Sequence, residues 1–466
     1  AFIKATWQDS IIAELQKYIK IPCKSPAFDS NWQANGHIET AIQQLKTWAL
    51  NQNIPNMLLD IIRLPNRTPL LFLEIQSSAP ANNETILLYG HMDKQPEMSG
   101  WDADKGPWQP VIIGEKLYGR GGADDGYALF AALTAINSLA KQKLPYPRCV
   151  ILIEACEESG SDDLPFYVDH LKDRIKTPSL VVCLDSGCAN YDQFWVTTSL
   201  RGNIRGVLTV ELIKEGLHSG AASGIVPSSF RVARQLLSRL ENEQTGEILL
   251  KDLYTNIPAD RIKEAKITAQ ISGEKIYTEL PFYEKTQPVT DDCTELLLNK
   301  TWRPQLAVTG ASGLPEIAQA GNVMRPKTSL VLSLRIPPNV DCHDATQKIK
   351  ECLEKNPPYN AKVSFIPDNP GDGWNAPATA PWLQTAIDEA STLFFKNKAA
   401  YWGEGGTIPF MGMLGEKFPK AQFVITGVLG PKSNAHGPNE FLHLPMAEKL
   451  TCCVAYIINC FCSKNS

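Results

Sequence analysis

The sequence predicts an α/β protein in which a mostly parallel sheet, flanked by helices, carries a smaller inserted α+β domain. Three observations support this prediction. In residues 1–200, short and fully apolar runs alternate with helical patterns, which is typical of parallel strands buried on both faces. From about residue 203 to residue 374, the strand patterns alternate apolar with polar side chains, as expected of a sheet with one open face. Residues 375–466 return to the first pattern, so residues 1–200 and 375–466 are predicted to form one domain and residues 201–374 the other.

The same patterns predict the individual elements along the chain. In the first part they predict helices at residues 7–19, 37–52, 125–143 and 164–175, and strands at residues 85–89, 149–154 and 179–184. In the middle part they predict strands at residues 204–212, 329–335 and 363–367, and helices at residues 227–243 and 342–355. The stretch 368–381, rich in Gly and Pro, is predicted to be a linker. Beyond it the patterns predict a helix at residues 382–395, a strand at residues 422–428 and a helix from residue 446.

Composition and charge exclude several classes of protein. Hydrophobic residues make up 43% of the chain and charged residues 20%, which is typical of folded proteins. The net charge of −5 gives no general attraction to nucleic acid or to an anionic membrane, so we expect neither as a partner. The apolar stretch 450–462 is predicted to be a buried C-terminal helix rather than a membrane span. The 12 cysteines are scattered, without CxxC pairs and often within apolar runs, which favours a cytoplasmic location.

Polar side chains of metal-binding types follow successive predicted strands at the point where each strand ends. His91 and Asp93 follow the run TILLYG, Glu157 and Glu158 follow VILIEAC, and Asp185 follows LVVCL. In open α/β sheets, ligands bind outside the carboxyl ends of the strands, so these side chains are expected to meet at one edge. Residues two apart in an extended chain point to the same side, so Asp93 is expected to orient His91.

Two further segments bring ligand types towards the same edge. The Gly-rich turn GRGGADD delivers Asp124 just before a helix, and His436, in AHGPNE, follows the late strand FVITGVLG. Taken singly, a strand-end Asp or Glu is more often a turn residue, and a lone His is more often structural. The adjacent Glu157 and Glu158, however, repel each other at a buried strand end unless a cation or a proton compensates. Mixed nitrogen and oxygen ligands without a Cys pattern suit a catalytic Zn²⁺ site.

Taken in order along the chain, these motifs resemble those of one family. YGHMD, GRGGADD, EACEESG, LDSG, GLHSG, GEGGTIP and AHGPNE resemble the motifs of the dinuclear-zinc metallopeptidases, which include cytosolic dipeptidases, carnosinases, glutamate carboxypeptidase and aminoacylase-type deacylases. The resemblance covers nearly the whole chain. It implies a zinc-exopeptidase-like catalytic domain in residues 1–200 and 375–466. It also implies that residues 201–374 form a lid and dimerisation domain, through which the protein forms a homodimer.

The resemblance also implies a role for each candidate ligand. It implies two Zn²⁺ ions per subunit, with Mn²⁺ or Co²⁺ as alternatives, and a cis peptide bond after the bridging Asp. The implied ligands are His91 and Asp185 for one metal, Glu158 and His436 for the other, and Asp124 between them. Glu157 matches the general base of the family, and Asp93 matches the carboxylate that supports a metal ligand.

Residues outside the metal motifs match the family's substrate-binding positions. His218, in GLHSG, resembles the lid histidine that reaches the active site of a partner subunit and polarises the scissile carbonyl. Arg335, in SLRIPPN, resembles the arginine that binds the substrate carboxylate, and Gly406 and Thr407 resemble the loop that holds the substrate terminus. Gly-Gly-Thr before Pro409 also predicts a helix start, whose free N–H groups bind anions. The structural alternatives are a turn histidine, a solvent-facing arginine and a plain helix cap.

The predicted function is metal-dependent hydrolysis of the amide bond of dipeptides or short peptides, by a metal-bridging water with Glu157 as general base. The main alternative is an N-acyl-amino-acid deacylase that uses the same site, and a non-catalytic binding protein is a third reading. Two departures from the family leave the choice of substrate open. Many dipeptidase relatives carry Arg at the position of Gly403, and the family often has Lys shortly after the bridging Asp, where Asp125, Gly126 and Tyr127 stand in this sequence. The run 119–124 imitates a dinucleotide-binding motif but has Asp124 in place of its third glycine.

Overall fold

The computed structural model describes residues 1–79 and 84–463, apart from the side chain of Pro409, and the chain divides into two compact units. The first unit comprises Ala1–Thr198, Ala376–Trp402 and Met413–Ser466. The second comprises Ser199–Asn375 and Gly403–Gly412.

The first 200 residues alternate helices with strands. In chain order these elements are α1 (Phe2–Thr6), α2 (Ile12–Ile19), α3 (Trp32–Asn35), α4 (His37–Leu50), β1 (Met57–Ile62), β2 (Leu70–Ile75), β3 (Thr85–His91), β4 (Val111–Ile113), β5 (Lys116–Tyr118), α5 (Ala128–Gln142), β6 (Arg148–Glu154), α6 (Leu164–His170), α7 (Lys172–Ile175), β7 (Leu180–Cys183) and β8 (Trp195–Leu200).

The remaining elements complete the second unit and then return to the first. The middle part contains β9 (Gly202–Glu211), β10 (Leu217–His218), α8 (Ser219–Ala222), α9 (Ser229–Leu240), α10 (Ala259–Ser272), α11 (Lys275–Thr278), α12 (Cys293–Thr301), β11 (Gln305–Ser312), β12 (Val323–Met324), β13 (Lys327–Ile336), α13 (Cys342–Glu354), β14 (Lys362–Pro367) and β15 (Trp374–Asn375). The last part contains α14 (Pro381–Phe395), β16 (Ala400–Glu404), α15 (Pro409–Lys417), β17 (Gln422–Ile425), β18 (Phe441–His443) and α16 (Leu444–Ser463).

The first unit is built on a mostly parallel sheet, as the sequence predicts. Its strand order is β1-β2-β6-β3-β7-β17-β8, and the central strands β6, β3, β7 and β17 run parallel. Every residue of β3, β6 and β7 is buried, as expected of strands covered on both faces. The antiparallel edge strands β1 and β2 are not predicted by the sequence analysis.

The register of the central strands positions the site. In β3 and β6, His91 lies beside Glu154, and in β3 and β7, Tyr89 lies beside Cys183. The three parallel strands therefore finish at the same edge of the sheet. Because the predicted ligand segments follow these strand ends directly, the register brings the segments after β3, β6 and β7 together.

Helix α16 closes the first unit and contains the stretch that the sequence predicts to be a buried helix. Met446, Leu450 and Ile458 are among its buried residues. Among the described residues it is also the one helix long and apolar enough to cross a membrane by length and composition, and 56% of its 18-residue window is buried inside the protein.

The second unit contains an antiparallel sheet with the strand order β11-β13-β9-β14. Buried and half-buried residues alternate along β13, and helices α9 and α13 join its buried side chains in one apolar cluster. This agrees with the predicted sheet that has one open face. Helices α10 and α12 form a smaller apolar cluster that the sequence analysis does not predict.

The segment Gly403–Gly412 belongs to the second unit, whereas the sequence assigns it to the domain that includes residues 375–466. Hydrogen bonds from one residue of the second unit explain the difference. The backbone N–H of Arg201 donates to the carbonyl of Gly406 at 3.1 Å, and its side-chain Nε donates to the carbonyl of Gly405 at 3.2 Å. These partners lie about two hundred residues apart in the chain, so no local pattern reveals them.

Candidate metal centre

Asp124 lies between two imidazole rings in the first unit. Its Oδ1 is 3.3 Å from Nε2 of His91, and its Oδ2 is 3.0 Å from Nε2 of His436. One carboxylate therefore offers a separate oxygen to each histidine, which is the arrangement of a bridging ligand. The peptide bond between Asp124 and Asp125 is cis, as the family resemblance implies.

Each histidine has a second carboxylate of its own. Oε2 of Glu158 lies 3.3 Å from Nε2 of His436, and Oδ2 of Asp185 lies 3.8 Å from Nε2 of His91. Two ligand atoms placed 2.0–2.1 Å from a tetrahedral zinc ion lie about 3.3 Å apart. The observed separations are close to this value, so the five predicted ligands fit a site for metal ions.

Atoms of Glu157 also reach this group. Potential ligand atoms of His91, Glu157 and Asp185 lie within 4.8 Å of one another, and so do those of His91, Asp124 and Glu158. Oε1 of Glu158 is buried and has no hydrogen-bond partner among the residues that the structure describes. A buried carboxylate oxygen without a hydrogen-bond partner, next to other carboxylates, fits a position that a cation would occupy.

The ionisation of the carboxylates shows that the cluster is short of positive charge. Burial and the charge of Asp185 raise the pKa of Glu157 well above its ordinary value. Burial and the charge of Asp124 do the same to the pKa of Glu158. Burial opposes the ionisation of Asp124 itself, but hydrogen bonds with the two histidines hold its pKa well below the usual range. A metal cation would relieve the repulsion that raises the glutamate pKa values.

Asp93 supports the turn after β6 more than the ring of His91. Its two carboxylate oxygens accept hydrogen bonds from the backbone N–H groups of Glu157 at 3.1 Å and Glu158 at 3.0 Å. Nδ1 of His91 lies 3.1 Å from the backbone carbonyl of Asp93 but 3.5 Å from its carboxylate. The expected support of His91 therefore comes mainly from the backbone of Asp93, while its carboxylate fixes the two glutamates.

Three further side chains contact the ligand segments and are missed by the sequence reasoning. Nε2 of Gln95 donates to Oε2 of Glu158 at 2.6 Å. Arg120 and Glu440 form a buried ion pair at 2.7 Å. The available signal was position alone, because Gln95 follows the HMD motif and the other two lie inside GRGGADD and AHGPNE.

His218 lies in the second unit, where it ends β10 and immediately precedes α8. In the antiparallel pairing of β10 with β12, His218 lies opposite Val323, and His218 is exposed. A Cβ atom on Gly220 would lie 3.0 Å from Cε1 of the histidine ring, so the glycine of the HSG motif leaves room for this ring.

Arg335 and Thr407 meet within the second unit. Nη1 of Arg335 donates to Oγ1 of Thr407 at 3.0 Å, and this hydroxyl donates to the carbonyl of Arg201 at 2.6 Å. Burial lowers the pKa of Arg335, and burial together with the charge of Arg335 lowers the pKa of Arg201 to about 10. Among the described residues, neither guanidinium has a carboxylate oxygen within 4.0 Å. The two guanidinium groups therefore carry positive charge that no carboxylate within this distance neutralises.

The loop around Gly406 has open space above it. A Cβ atom built on Gly406 meets no atom within 4 Å, and helix α15 begins shortly after, at Pro409. The predicted helix start is therefore confirmed. Gly403 is crowded instead, because an added Cβ would lie 2.5 Å from Oγ of Ser199. A side chain at this position would require Ser199 and Thr301 to shift.

Comparison with known proteins gives a consistent result. The profile of Peptidase family M20/M25/M40 matches residues 87–459. A cysteinylglycine-S-conjugate dipeptidase of Corynebacterium striatum is 24% identical over 381 residues, covering 78% of this chain and 79% of the relative. A Cys-Gly metallodipeptidase of Saccharomyces cerevisiae is 28% identical over 375 residues, covering 75% and 73%. The crystal structure of an M20 metallo-carboxypeptidase from Sulfolobus solfataricus superposes with a TM-score of 0.77 at 20% identity, covering 96% and 98%.

Proposed function

Because the chain belongs to peptidase family M20/M25/M40, we propose that it is a dinuclear zinc exopeptidase that hydrolyses the amide bond of dipeptides or short peptides. The observation that carries this proposal is the position of Asp124, which presents one carboxylate oxygen to His91 and the other to His436. Dipeptidase relatives favour this activity over the deacylation of N-acyl amino acids.

The proposed metal ligands are those that the family resemblance implies. His91 and Asp185 bind one ion, Glu158 and His436 bind the other, and Asp124 bridges them. Two Zn²⁺ ions in this position would supply a water of lowered pKa and positive charge for a developing oxyanion. Mn²⁺ and Co²⁺ are the alternative ions, since both accept nitrogen and oxygen ligands.

Glu157 is the proposed general base. Its carboxylate lies within reach of His91 and Asp185, and the five proposed ligands already supply three groups to each ion without it. Its raised pKa suits a group that takes a proton from water and later delivers it to the leaving amine. Asp93 holds the backbone of Glu157 and so fixes the direction of this transfer.

Arg335, Thr407 and the backbone of Gly406 are the proposed binding group for the terminal carboxylate of the substrate. The guanidinium of Arg335 has donors to spare, because Thr407 is its one hydrogen-bond acceptor among the described residues. Recognition of a chain terminus next to the scissile bond restricts cleavage to short peptides or to terminal residues.

The second unit is the proposed lid and dimerisation domain, and His218 is proposed to polarise the scissile carbonyl in the active site of a partner subunit. Two observations support this assignment. His218 is exposed. The same unit also exposes large apolar side chains, including Ile225 at 82% and Ile366 at 65%, the latter on the outer strand β14. Exposed apolar groups and an outer strand are typical of a surface that pairs with another chain.

A cytoplasmic location is also proposed. All twelve cysteines are free thiols, and several are fully buried within the apolar core. Cysteines left unpaired in this number are typical of a reducing compartment.

A substrate panel tests the proposed function. The zinc-loaded protein is incubated with free dipeptides, with the same dipeptides amidated at the C-terminus, and with N-acetyl amino acids. We expect the free dipeptides to be cleaved and the amidated forms to be cleaved far more slowly, because they lack the carboxylate that Arg335 binds. Faster hydrolysis of N-acetyl amino acids than of every dipeptide would favour the deacylase instead.

A further inference from the structure

The backbone N–H groups of the Gly-rich turn converge on a carboxylate of the chain itself. Oε1 of Glu440 accepts from the N–H of Gly121 at 3.0 Å, and from those of Ala123 and Asp124 at 3.4 Å each. Successive N–H groups in such a turn form an anion-binding concavity, which in nucleotide-binding proteins holds a phosphate. Here Glu440 fills that concavity, which explains physically why residues 119–124 imitate a dinucleotide-binding motif.

The other oxygen of Glu440 binds an arginine from the same turn. Nη1 of Arg120 donates to Oε2 of Glu440 at 2.7 Å, and its Nη2 donates to the carbonyl of Gly437 at 2.7 Å. Its Nε donates to the carbonyl of Pro96 at 3.1 Å. Arg120 is 1% exposed and Glu440 is fully buried. We refer to this pair, Arg120 and Glu440, as the clasp.

The partners of the clasp belong to three segments that carry candidate metal ligands. Asp124 is itself one of the N–H donors, Gly437 follows His436, and Pro96 lies five residues after His91. The imidazole of His436 is 55% exposed, and its backbone adopts a φ of 66°, which is unfavourable for residues other than glycine. Packing alone therefore does not fix this ligand, whereas the bond from Arg120 to Gly437 restrains its backbone.

A buried ion pair is by itself a weak source of stability, because desolvation offsets most of the Coulomb attraction. The clasp is therefore better explained by the geometry that it imposes. We propose that Arg120 and Glu440 are positioning residues that hold Asp124 at the distance from His436 that a shared metal site requires. This inference rests on the metal centre of the proposed function.

Zinc affinity of the metal-free protein tests the role of the clasp. Zn²⁺ is titrated by calorimetry into the wild type, Arg120→Lys and Glu440→Gln, and the melting temperature of each metal-free protein is recorded. We expect both variants to bind Zn²⁺ about 10- to 100-fold more weakly, the usual cost of losing a group that supports metal ligands. Because the two residues act as one unit, the double variant should lose little more affinity than either single variant.

Arg148→Lys is the matched control. Arg148 is also buried and forms an ion pair with the half-buried Glu74 at 2.9 Å, but it begins β6 and so lies at the far end of that strand from Glu157. This variant should lower the melting temperature and leave zinc affinity unchanged. Equal zinc affinity in Arg120→Lys and Arg148→Lys would overturn the role of the clasp. A wild type that binds no Zn²⁺ would instead overturn the proposed function.

Hydrogen exchange of the wild type tests the clasp even where a variant does not fold. Coupling between two sites is reciprocal, so Zn²⁺ should stabilise the clasp as the clasp stabilises the metal site. We expect added Zn²⁺ to slow the exchange of the Gly121 and Ala123 amides, which donate to Glu440. Exchange that is fast without Zn²⁺ and unchanged with it would contradict the proposal.

Discussion

The candidate metal centre and the candidate recognition residues differ in how firmly the fold holds them. In the first unit, His91, Asp124 and Asp185 are buried, His91 ends β3 and Asp185 lies two residues after β7, although the imidazole of His436 is 55% exposed. In the second unit, His218 is exposed and Arg335 is only half-buried, with donors left for a ligand. The comparison indicates that the fold itself holds His91, Asp124 and Asp185 in place, whereas it leaves His218 and Arg335 open to further contacts.

The largest expected effect concerns Glu157 and its neighbour Glu158 in the candidate metal centre. Glu157→Gln should lower kcat by about 10²- to 10⁴-fold, the usual contribution of a general base, while metal content stays unchanged. Glu158→Gln is the matched control and should lose metal, because Glu158 is a ligand. Turnover and metal content are measured on the same preparations. Near-normal turnover of Glu157→Gln would show that another group is the base.

A smaller effect is expected for His218, the exposed histidine of the second unit. His218→Ala should lower kcat by about 10²- to 10³-fold, as the loss of an oxyanion donor does in other enzymes, without loss of metal. Mixing this variant with Glu157→Gln should restore activity if the histidine acts across a dimer, since one mixed site then has both groups. Inactive mixtures, despite verified subunit exchange, would contradict action across subunits.

Arg335 should affect the binding of the substrate more than the chemical step. Arg335→Lys keeps the charge but loses the planar pair of donors, so KM should rise by about 10- to 100-fold with a smaller change in kcat. Arg205→Lys is the control, because Arg205 lies on the same sheet but pairs with Asp368 at the surface. Steady-state kinetics on a free dipeptide measures both. An unchanged KM would remove Arg335 from the recognition site.

The smallest expected effect concerns Glu154, a buried residue that ends β6 beside His91. Burial and the charge of Asp93 raise its pKa to about 8. Between pH 6 and pH 7 the folded chain retains the Glu154 proton that the unfolded chain has released, so this group lowers stability as the pH rises. Over that interval the metal-free wild type should lose about 1 kcal/mol relative to Glu154→Gln.

Urea unfolding at pH 6 and pH 7 measures this difference. Gln at position 154 keeps an oxygen that can accept the hydrogen bonds from Tyr89 and Ser161, so the variant isolates the titration. Parallel pH profiles for the two proteins would show that Glu154 is ionised in the folded state at pH 7.

Sequence reasoning was most effective where local signals coincide with strand ends. The apolar runs before His91, Glu157 and Asp185 predict parallel strands, and parallel strands bring their carboxyl ends to one edge. The assignment of Asp124 and His436 depended on the family resemblance, because neither follows a strand directly.

Other features give no readable local signal. The buried face of α10 consists of Arg261, Ala265 and Thr268, so this helix lacks apolar periodicity. The clasp joins residues 320 positions apart, and the packing of Gly403–Gly412 with the second unit depends on distant bonds from Arg201. Such long-range pairs become visible only once the chain has folded.

The number of metal ions bound per chain tests the central claim most directly. Native mass spectrometry of the zinc-loaded wild type should show two Zn²⁺ ions per chain, and Asp124→Asn should bind fewer, because the bridging carboxylate serves both ions. A wild type that binds no zinc, or an Asp124→Asn variant that retains both ions, would contradict a metal pair centred on Asp124.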